Sequence, residues 1–438
     1  MSIEQMNTMN GKTCSCGKIH SFQADICAGK CAVDKLPHYI RKNNARKAFI
    51  LSDTNTYKAA GSHVCEILRQ ANIDFLSYSF THSPVEPDEY SVGSAIMHYD
   101  SGCDIIVGVG SGVVNDIGKI VSMVSGKPYI IVATAPSMDG YASASSSMTR
   151  DGLKISLPSR SADVIIGDTD ILCQAPLHMM KSGLGDILAK YVSICEWRIA
   201  HIITGEYYCE EIAQLIRSAL KRCIDNAQGL LQRDPEAVQA VFEGLVIGGV
   251  AMNYAGLSRP ASGVEHYISH VLDMRGVEFD TPVELHGIQC AIGTLLSVRL
   301  YEKIKKTVPY AKKAIKYAEA FDYNVWAKTL RAFLGKGAES MIALEDKEKK
   351  YDATLHKERL KVILNNWDAI LKIIAEELPS SAEIESILDM IDAPKSLEAI
   401  GINEQDFPTI FKCTKDIRDK YVLSRLAWDL GVLDDILL

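Results

Sequence analysis

Asp104-Ile-Ile-Val-Gly-Val-Gly-Ser-Gly-Val-Val-Asn-Asp-Ile-Gly-Lys119 decides how the first half of this chain reads. An apolar run over residues 104–109 passes into the spaced glycines Gly108, Gly110 and Gly112, and a helix-compatible segment follows. Glycines at a strand-to-helix turn let the backbone approach a phosphate, and a helix start offers N–H groups and the positive end of a dipole. The spacing G-x-G-x-G-x3-D-x2-K is not the G-x-G-x-x-G dinucleotide fingerprint, and no Lys-Ser/Thr pair closes it as a Walker A loop. Glycine-rich turns of this kind also arise for geometric reasons alone, so the turn by itself leaves a nucleotide open.

On either side, short apolar runs alternate with helical stretches. Residues 47–53, 73–80, 128–134 and 162–168 read as further strands, and residues 59–70 and 92–99 as helices, with a loop at 82–87. Continuous apolar strands separated by helices mark a mostly parallel sheet covered on both faces. From about residue 174 the apolar spacing changes to i, i+3, i+4. Leu360, Ile363, Leu364, Trp367, Leu371 and Ile374 form one such face, Ser380-Ser-Ala-Glu383 reads as a capping box, and residues 417–438 again read as helical. The mixed-sign run at 345–350 reads as a solvated surface. The expected organisation is an α/β domain over residues 25–173 followed by an all-α domain over 174–438. Residues 1–24 form a cysteine-bearing extension.

The chain has 438 residues, enough for about two to three domains. Its net charge is −8, which argues against a nucleic-acid partner. No apolar run approaches the roughly 18–20 residues of a membrane span, and the polar start MSIEQMNTMNGK lacks a signal-peptide core, so a cytoplasmic protein is expected. Of the twelve cysteines, Cys65, Cys195, Cys223 and Cys290 sit in apolar contexts and read as small hydrophobes. Cys14, Cys16, His20, Cys27 and Cys31 cluster near the N-terminus. They could bind zinc, but without a C-x2-C pair the simpler reading is surface thiols.

Polar residues at strand ends and on the later helices carry the candidate chemistry. Asp53 closes a strand, where a carboxylate can accept ribose hydroxyls or cap the next helix. Thr134-Ala-Pro-Ser-Met-Asp139-Gly-Tyr-Ala-Ser143 follows another strand and is rich in short polar side chains. Asp186 starts an otherwise apolar helix. Glu265-His266-Tyr-Ile-Ser-His270 places two imidazoles one turn apart, and Glu284-Leu-His286 adds a third. One Asp and two His suit a borderline divalent ion with positions left for substrate. A metalloprotease is disfavoured, because Tyr267 stands where H-E-x-x-H needs its glutamate.

The turn at 108–119, the stretch Ala135-Pro-Ser-Met-Asp-Gly-Tyr-Ala-Ser143, Gly185-Asp186, Arg259-Pro-Ala-Ser-Gly-Val-Glu-His-Tyr-Ile-Ser-His270 and Arg418-Asp-Lys-Tyr…Leu426-Ala-Trp-Asp-Leu-Gly431 resemble those of glycerol-1-phosphate dehydrogenases. These belong to the fold group of iron-containing alcohol dehydrogenases, glycerol dehydrogenases and dehydroquinate synthases. The resemblance covers residues 25–438 and is strongest to the bacterial type with an extended helical C-terminus. It implies a site in the cleft between the domains and a homodimer. Asp186, His266 and His286 would hold zinc or nickel. Asp139, His270 and Asp186 would contact the substrate. Asp53, Gly112, Val113, Val114, Asn115, Asp116, Thr134, Ala135, Pro136, Ser137 and Ser143 would bind NAD(H) or NADP(H), with Asp53 favouring NAD. Ser111 stands where the group often has glycine, and Gly118 where alanine is common.

The implied reaction is reversible reduction of dihydroxyacetone phosphate to sn-glycerol 1-phosphate. The metal would polarise the ketone during hydride transfer, a contribution of several kcal/mol. His270 would relay or position the proton and Asp139 would orient a hydroxyl. The helix start at Ser262-Gly263, with Arg259, is the expected phosphate seat, unless Arg259 serves a salt bridge. A polyol dehydrogenase without the phosphate requirement, a dehydroquinate-synthase-like lyase and a non-enzymatic binding module remain as alternatives.

Overall fold

The computed structural model describes residues 3, 6 and 8–438. Eight strands lie in the first 168 residues: β1 (Asp25–Gly29), β2 (Lys47–Asp53), β3 (Asp74–Phe80), β4 (Ile105–Gly110), β5 (Tyr129–Ala133), β6 (Ser145–Arg150), β7 (Leu153–Pro158) and β8 (Val164–Asp168). Six form one sheet in the order β1-β8-β5-β4-β2-β3, every pairing parallel. β4, β5 and β8 are buried along their whole length, as continuous Ile/Val runs in a doubly covered sheet should be. β6 and β7 make a separate antiparallel hairpin, turning at Asp151 and Gly152, both left-handed.

The strand order places the ligand end of the sheet. The chain runs outward from β2 to β3, then returns to lay β4 on the other side of β2. The crevice at such a reversal, outside the carboxyl ends of the strands, is where open α/β sheets bind ligands. Here it lies between Asp53 and the Gly110–Gly112 turn, the register pairing Leu51 with Gly108. Three helices flank these strands: α1 (Ser62–Gln70), α2 (Glu89–His98) and α3 (Gly112–Ser125).

After β8 the chain is helical. Its main segments are α4 (Leu177–Leu188), α5 (Lys190–Thr204), α6 (Glu210–Asn226), α7 (Pro235–Ala255), α8 (Val264–Phe279), α9 (His286–Ile304), α10 (Ala353–Asn365), α11 (Trp367–Glu377), α12 (Ser381–Met390) and α13 (Leu423–Asp429). The chain divides into two compact units, residues 1–187 with 214–257, and residues 188–213 with 258–438. The change of rhythm near residue 174 therefore marks the end of the sheet, not a division between units. α7 belongs with the sheet: Phe242 packs so closely on Gly167 of β8 that a Cβ there would meet the ring at 2.0 Å.

Three sequence expectations change. α7 is 21 residues long and apolar enough to cross a membrane by length and composition, contrary to the expectation that no segment is; 83% of its most apolar window is buried in the protein, as a core helix requires. The stripe from Leu360 to Ile374 is divided between α10 and α11 at Asn366. Residues 417–438 form only α13 and a final short turn, because the chain at Val422 is extended and delivers the Leu423 N–H to Glu196 Oε1 at 2.7 Å. The Ser380 capping box, by contrast, is present with both reciprocal bonds.

Candidate functional site

In the sheet unit, the β4–α3 turn keeps its helix start for backbone groups. Ser111, at the N-cap, makes no side-chain cap bond. Its hydroxyl instead bonds Ser137 Oγ at 2.5 Å. The first amides of α3 therefore have no side chain of the cap over them, the arrangement a pyrophosphate uses. Gly110 is required because a Cβ there would lie 2.5 Å from Val114 Cβ. Gly118 has a local reason too: a Cβ would fall 2.5 Å from Tyr129 Oη, so the alanine common in the resembled group does not fit beside this tyrosine.

The side chains of α3 brace the loop at 134–145. Asn115 Nδ2 donates to Gly140 O at 3.0 Å. Lys119, fully buried, donates to Ser145 O at 2.5 Å and Ser143 Oγ at 3.3 Å, and pairs with Asp116 at 2.9 Å. Tyr141 Oη donates to Ala135 O at 2.6 Å, and Ser182 Oγ to Ser137 O at 3.0 Å. Gly183 of α4 sits where a Cβ would meet Pro136 O at 1.9 Å, so helix and loop touch backbone to backbone. Asp186, fully buried, accepts the Asp139 N–H at 2.9 Å. Asn115, Asp116 and Ser143, expected to touch a dinucleotide, thus hold the loop beside its crevice. Asp53 is a helix N-cap: its Oδ1 accepts from Asn55 N and Thr56 N, and Thr56 Oγ1 completes a capping box.

In the helical unit, α8 and α9 bring three donors together. His266, His286 and Cys290 each offer an atom within 4.8 Å of the others. The two imidazole rings lie 5.0 Å apart at 65°. His266 Nδ1 bonds the buried Glu265 at 2.9 Å, and His286 Nδ1 bonds Ser269 Oγ at 3.0 Å. Holding Nδ1 in this way orients a metal-ligating imidazole and raises the basicity of Nε2. Cys290 Sγ lies 3.6 Å from His286 Nε2, and the nearby imidazoles hold its thiol below the usual range despite burial. This donor set fits a borderline divalent ion. Cys290 is therefore not the inert hydrophobe its context suggested; its place four residues after His286 was the available signal. His270 is stacked on His286 at 6.1 Å, and burial, then Arg418, holds it well below the ordinary imidazole range.

The expected phosphate seat at Ser262-Gly263 is already filled by the protein. Glu265 Oε1 accepts the Gly263 N–H at 2.7 Å and Glu196 Oε2 the Val264 N–H at 2.9 Å. Burial and the neighbouring Glu265 push the Glu196 carboxyl up to about 8. Arg259 is 1% exposed and committed to Glu206, at 2.7 Å through both Nε and Nη2, and to Tyr421 O. A phosphate there would face the Glu265 and Glu196 carboxyl groups with both amides already taken, so the salt-bridge reading of Arg259 holds. Arg418 and Lys420 are the cations whose charge reaches His270.

The fold is that of the iron-containing alcohol dehydrogenases. A model of the iron-containing alcohol dehydrogenases matches residues 27–176. The structure of a glycerol dehydrogenase from Schizosaccharomyces pombe superposes with a TM-score of 0.62 at 17% identity, covering 96% of this chain and 91% of that one. A maleylacetate reductase from Rhizobium sp. gives 0.60 at 14% identity over 94% and 95%. Among sequences, a glycerol-1-phosphate dehydrogenase (NAD(P)+) of Halalkalibacterium halodurans is 27% identical over 86% of each chain. One from Pyrococcus horikoshii is 33% identical over 66% of this chain and 82% of its own. The chain belongs to the glycerol-1-phosphate dehydrogenase family, and it is an oxidoreductase.

Proposed function

We propose that this protein reduces dihydroxyacetone phosphate reversibly to sn-glycerol 1-phosphate with NAD(P)H, using one divalent ion held by Asp186, His266 and His286. The observation that carries the reading is the pair of imidazoles with both Nδ1 atoms anchored, beside a depressed His270. Asp186, a fully buried carboxylate, is the acidic ligand. A bound zinc or nickel ion supplies Lewis acidity toward a carbonyl oxygen. The nicotinamide supplies the hydride.

The chain's own residues do the rest. The amides of Gly112, Val113 and Val114 bind the pyrophosphate at the sheet's reversal point, and Thr134, Ala135, Pro136 and Ser137 line the same crevice. Asp139 orients a substrate hydroxyl, its main chain fixed by Asp186. His270 is neutral at working pH, so it takes a proton at one ring nitrogen while releasing one from the other. Arg418 and Lys420 replace Arg259 as the phosphate partners.

The test is NADH and NADPH oxidation by zinc- and nickel-loaded protein with dihydroxyacetone phosphate or unphosphorylated dihydroxyacetone at equal concentration. The reading expects a strong preference for the phosphate ester. Equal or better turnover of the free ketone would move the protein to the polyol dehydrogenases.

A further inference from the structure

The N-terminal cysteine cluster is not used by the proposed reaction, and its geometry departs from that of surface thiols. Cys14 and Cys27 are buried; Cys31 is exposed. None of the twelve cysteines is in a disulfide. Residues 10–22 fold as a small closed turn: Gly11 N–H donates to His20 O at 2.8 Å, Thr13 bridges Ile19, and Cys14 N–H donates to Lys18 O at 2.8 Å. Gly17 takes a left-handed φ of 83° to close it. Within residues 10–22, only Cys14, His20 and Phe22 are buried. So small a core does not hold a segment of this size in place without a staple.

The buried groups are metal donors with their partners arranged. Cys14, Cys16 and His20 each place a ligand atom within 4.8 Å of the others. The Cys16 N–H points at Cys14 Sγ at 3.5 Å, and Cys16 Sγ lies 3.4 Å from His20 Nε2. His20, 1% exposed, has its Nδ1 bonded to Tyr254 O at 2.9 Å. A carbonyl can only accept, so Nδ1 carries the proton and Nε2 presents its lone pair on the side of the sulfur. A surface-thiol cluster needs no such tautomer. Thiolates with an imidazole are the donor set of structural zinc.

We propose that Cys14, Cys16 and His20 together bind one zinc ion as a structural site. The ion fastens the N-terminal turn through His20 to the end of α7, where Tyr254 lies. Zinc binding displaces the thiol protons and leaves the cysteines reduced.

The test uses the full chain carrying His266→Ala and His286→Ala, reconstituted with zinc and dialysed, so that the proposed catalytic ion is absent. Elemental analysis should find one zinc per chain, and zinc-edge X-ray absorption should show a shell with sulfur at about 2.3 Å beside nitrogen. Adding Cys14→Ser and Cys16→Ser should remove that ion. Because those substitutions could unfold the turn, the absorption spectrum of the protein with its cysteines intact decides independently. A nitrogen- and oxygen-only shell, no retained zinc, or a Cys14–Cys16 disulfide by mass spectrometry would overturn the proposal. Failure of the parent protein, with His266 and His286 intact, to reduce dihydroxyacetone phosphate while the variant keeps its sulfur shell would count against the catalytic reading alone.

Discussion

The helix starts of α3, at Gly112, and α8, just after Gly263, spend their positive ends differently. α3 begins without a side-chain cap, its cap serine turned instead to Ser137. α8 begins under two buried carboxyl groups, Glu265 on the Gly263 N–H and Glu196 on the Val264 N–H. Both starts attract negative charge by the same physics. The difference is whether the chain supplies that charge itself. At α8 the Glu265 carboxylate also grips His266 Nδ1, so that helix start orients the ring proposed to hold the metal and has no room for a phosphate.

The comparison is broken most severely at His266. If Glu265 and the α8 start exist to aim this ring, His266→Ala should lower turnover at least about a thousandfold, with loss of bound metal by elemental analysis. Near-normal metal content and rate would return the α8 start to the list of phosphate sites. Next in size is the glycine exchange. A Cβ at Gly263 would lie 2.6 Å from Glu196 Oε2 and 2.7 Å from Glu265 Oε2. Gly263→Ala should therefore destabilise the fold by about 2–3 kcal/mol in denaturant titration. At Gly112 the nearest atom a Cβ meets is Met138 Cγ, at 3.4 Å, an ordinary contact with a flexible side chain. Gly112→Ala should leave stability unchanged or slightly raised, while the KM for the dinucleotide rises roughly tenfold. Equal stability losses would mean that the two helix starts do not differ in the way described.

Much of this was legible in the sequence where one local rule decides the outcome. β2 ends at Asp53 as its apolar run does, and the Ser380–Glu383 capping box forms as written. Elements set by distant partners were not legible. β1 is only five residues and exists because β8 offers it a parallel edge. The β6 strand is serine-rich and reads as loop, although Asp151-Gly152 is a hairpin turn signal. At the site, the histidines were visible from spacing alone. That Arg259 is taken by Glu206, and that the α8 start is taken by Glu196 from another helix, depends on residues more than 50 positions away.

A smaller effect tests where the phosphate charge went instead. Burial, with the nearby Arg259 and Arg418, pulls the Lys420 ammonium down to about 7. An unfolded lysine titrates near 10.4. The folded state therefore binds fewer protons between those values, and this group makes the fold more stable as pH rises through that range. Phosphate binding should run the opposite way. Above pH 7 Lys420 loses its charge, so the KM for dihydroxyacetone phosphate should rise about tenfold by pH 9. Lys420→Arg keeps its charge and should flatten that rise without altering the KM for the dinucleotide. A pH-independent KM in the parent protein would remove Lys420 from the phosphate site.

The finest adjustment lies at the other helix start. The Ser111 hydroxyl shares a 2.5 Å bond with Ser137 across the mouth of the β4–α3 turn. Ser137 is itself held, because its carbonyl accepts from Ser182 of α4. The serine pair thus links the turn to the loop that α3 braces through Asn115 and Lys119. Ser111→Gly removes one hydrogen bond, about 1 kcal/mol, and frees the backbone of the turn. The expected outcome is a two- to fivefold rise in the KM for NADH with kcat nearly unchanged, since about 1 kcal/mol corresponds to roughly fivefold. The metal content should not move. A large fall in kcat would place Ser111 at the reacting groups, and an unchanged KM would show that the backbone amides hold the pyrophosphate without help from the serine pair.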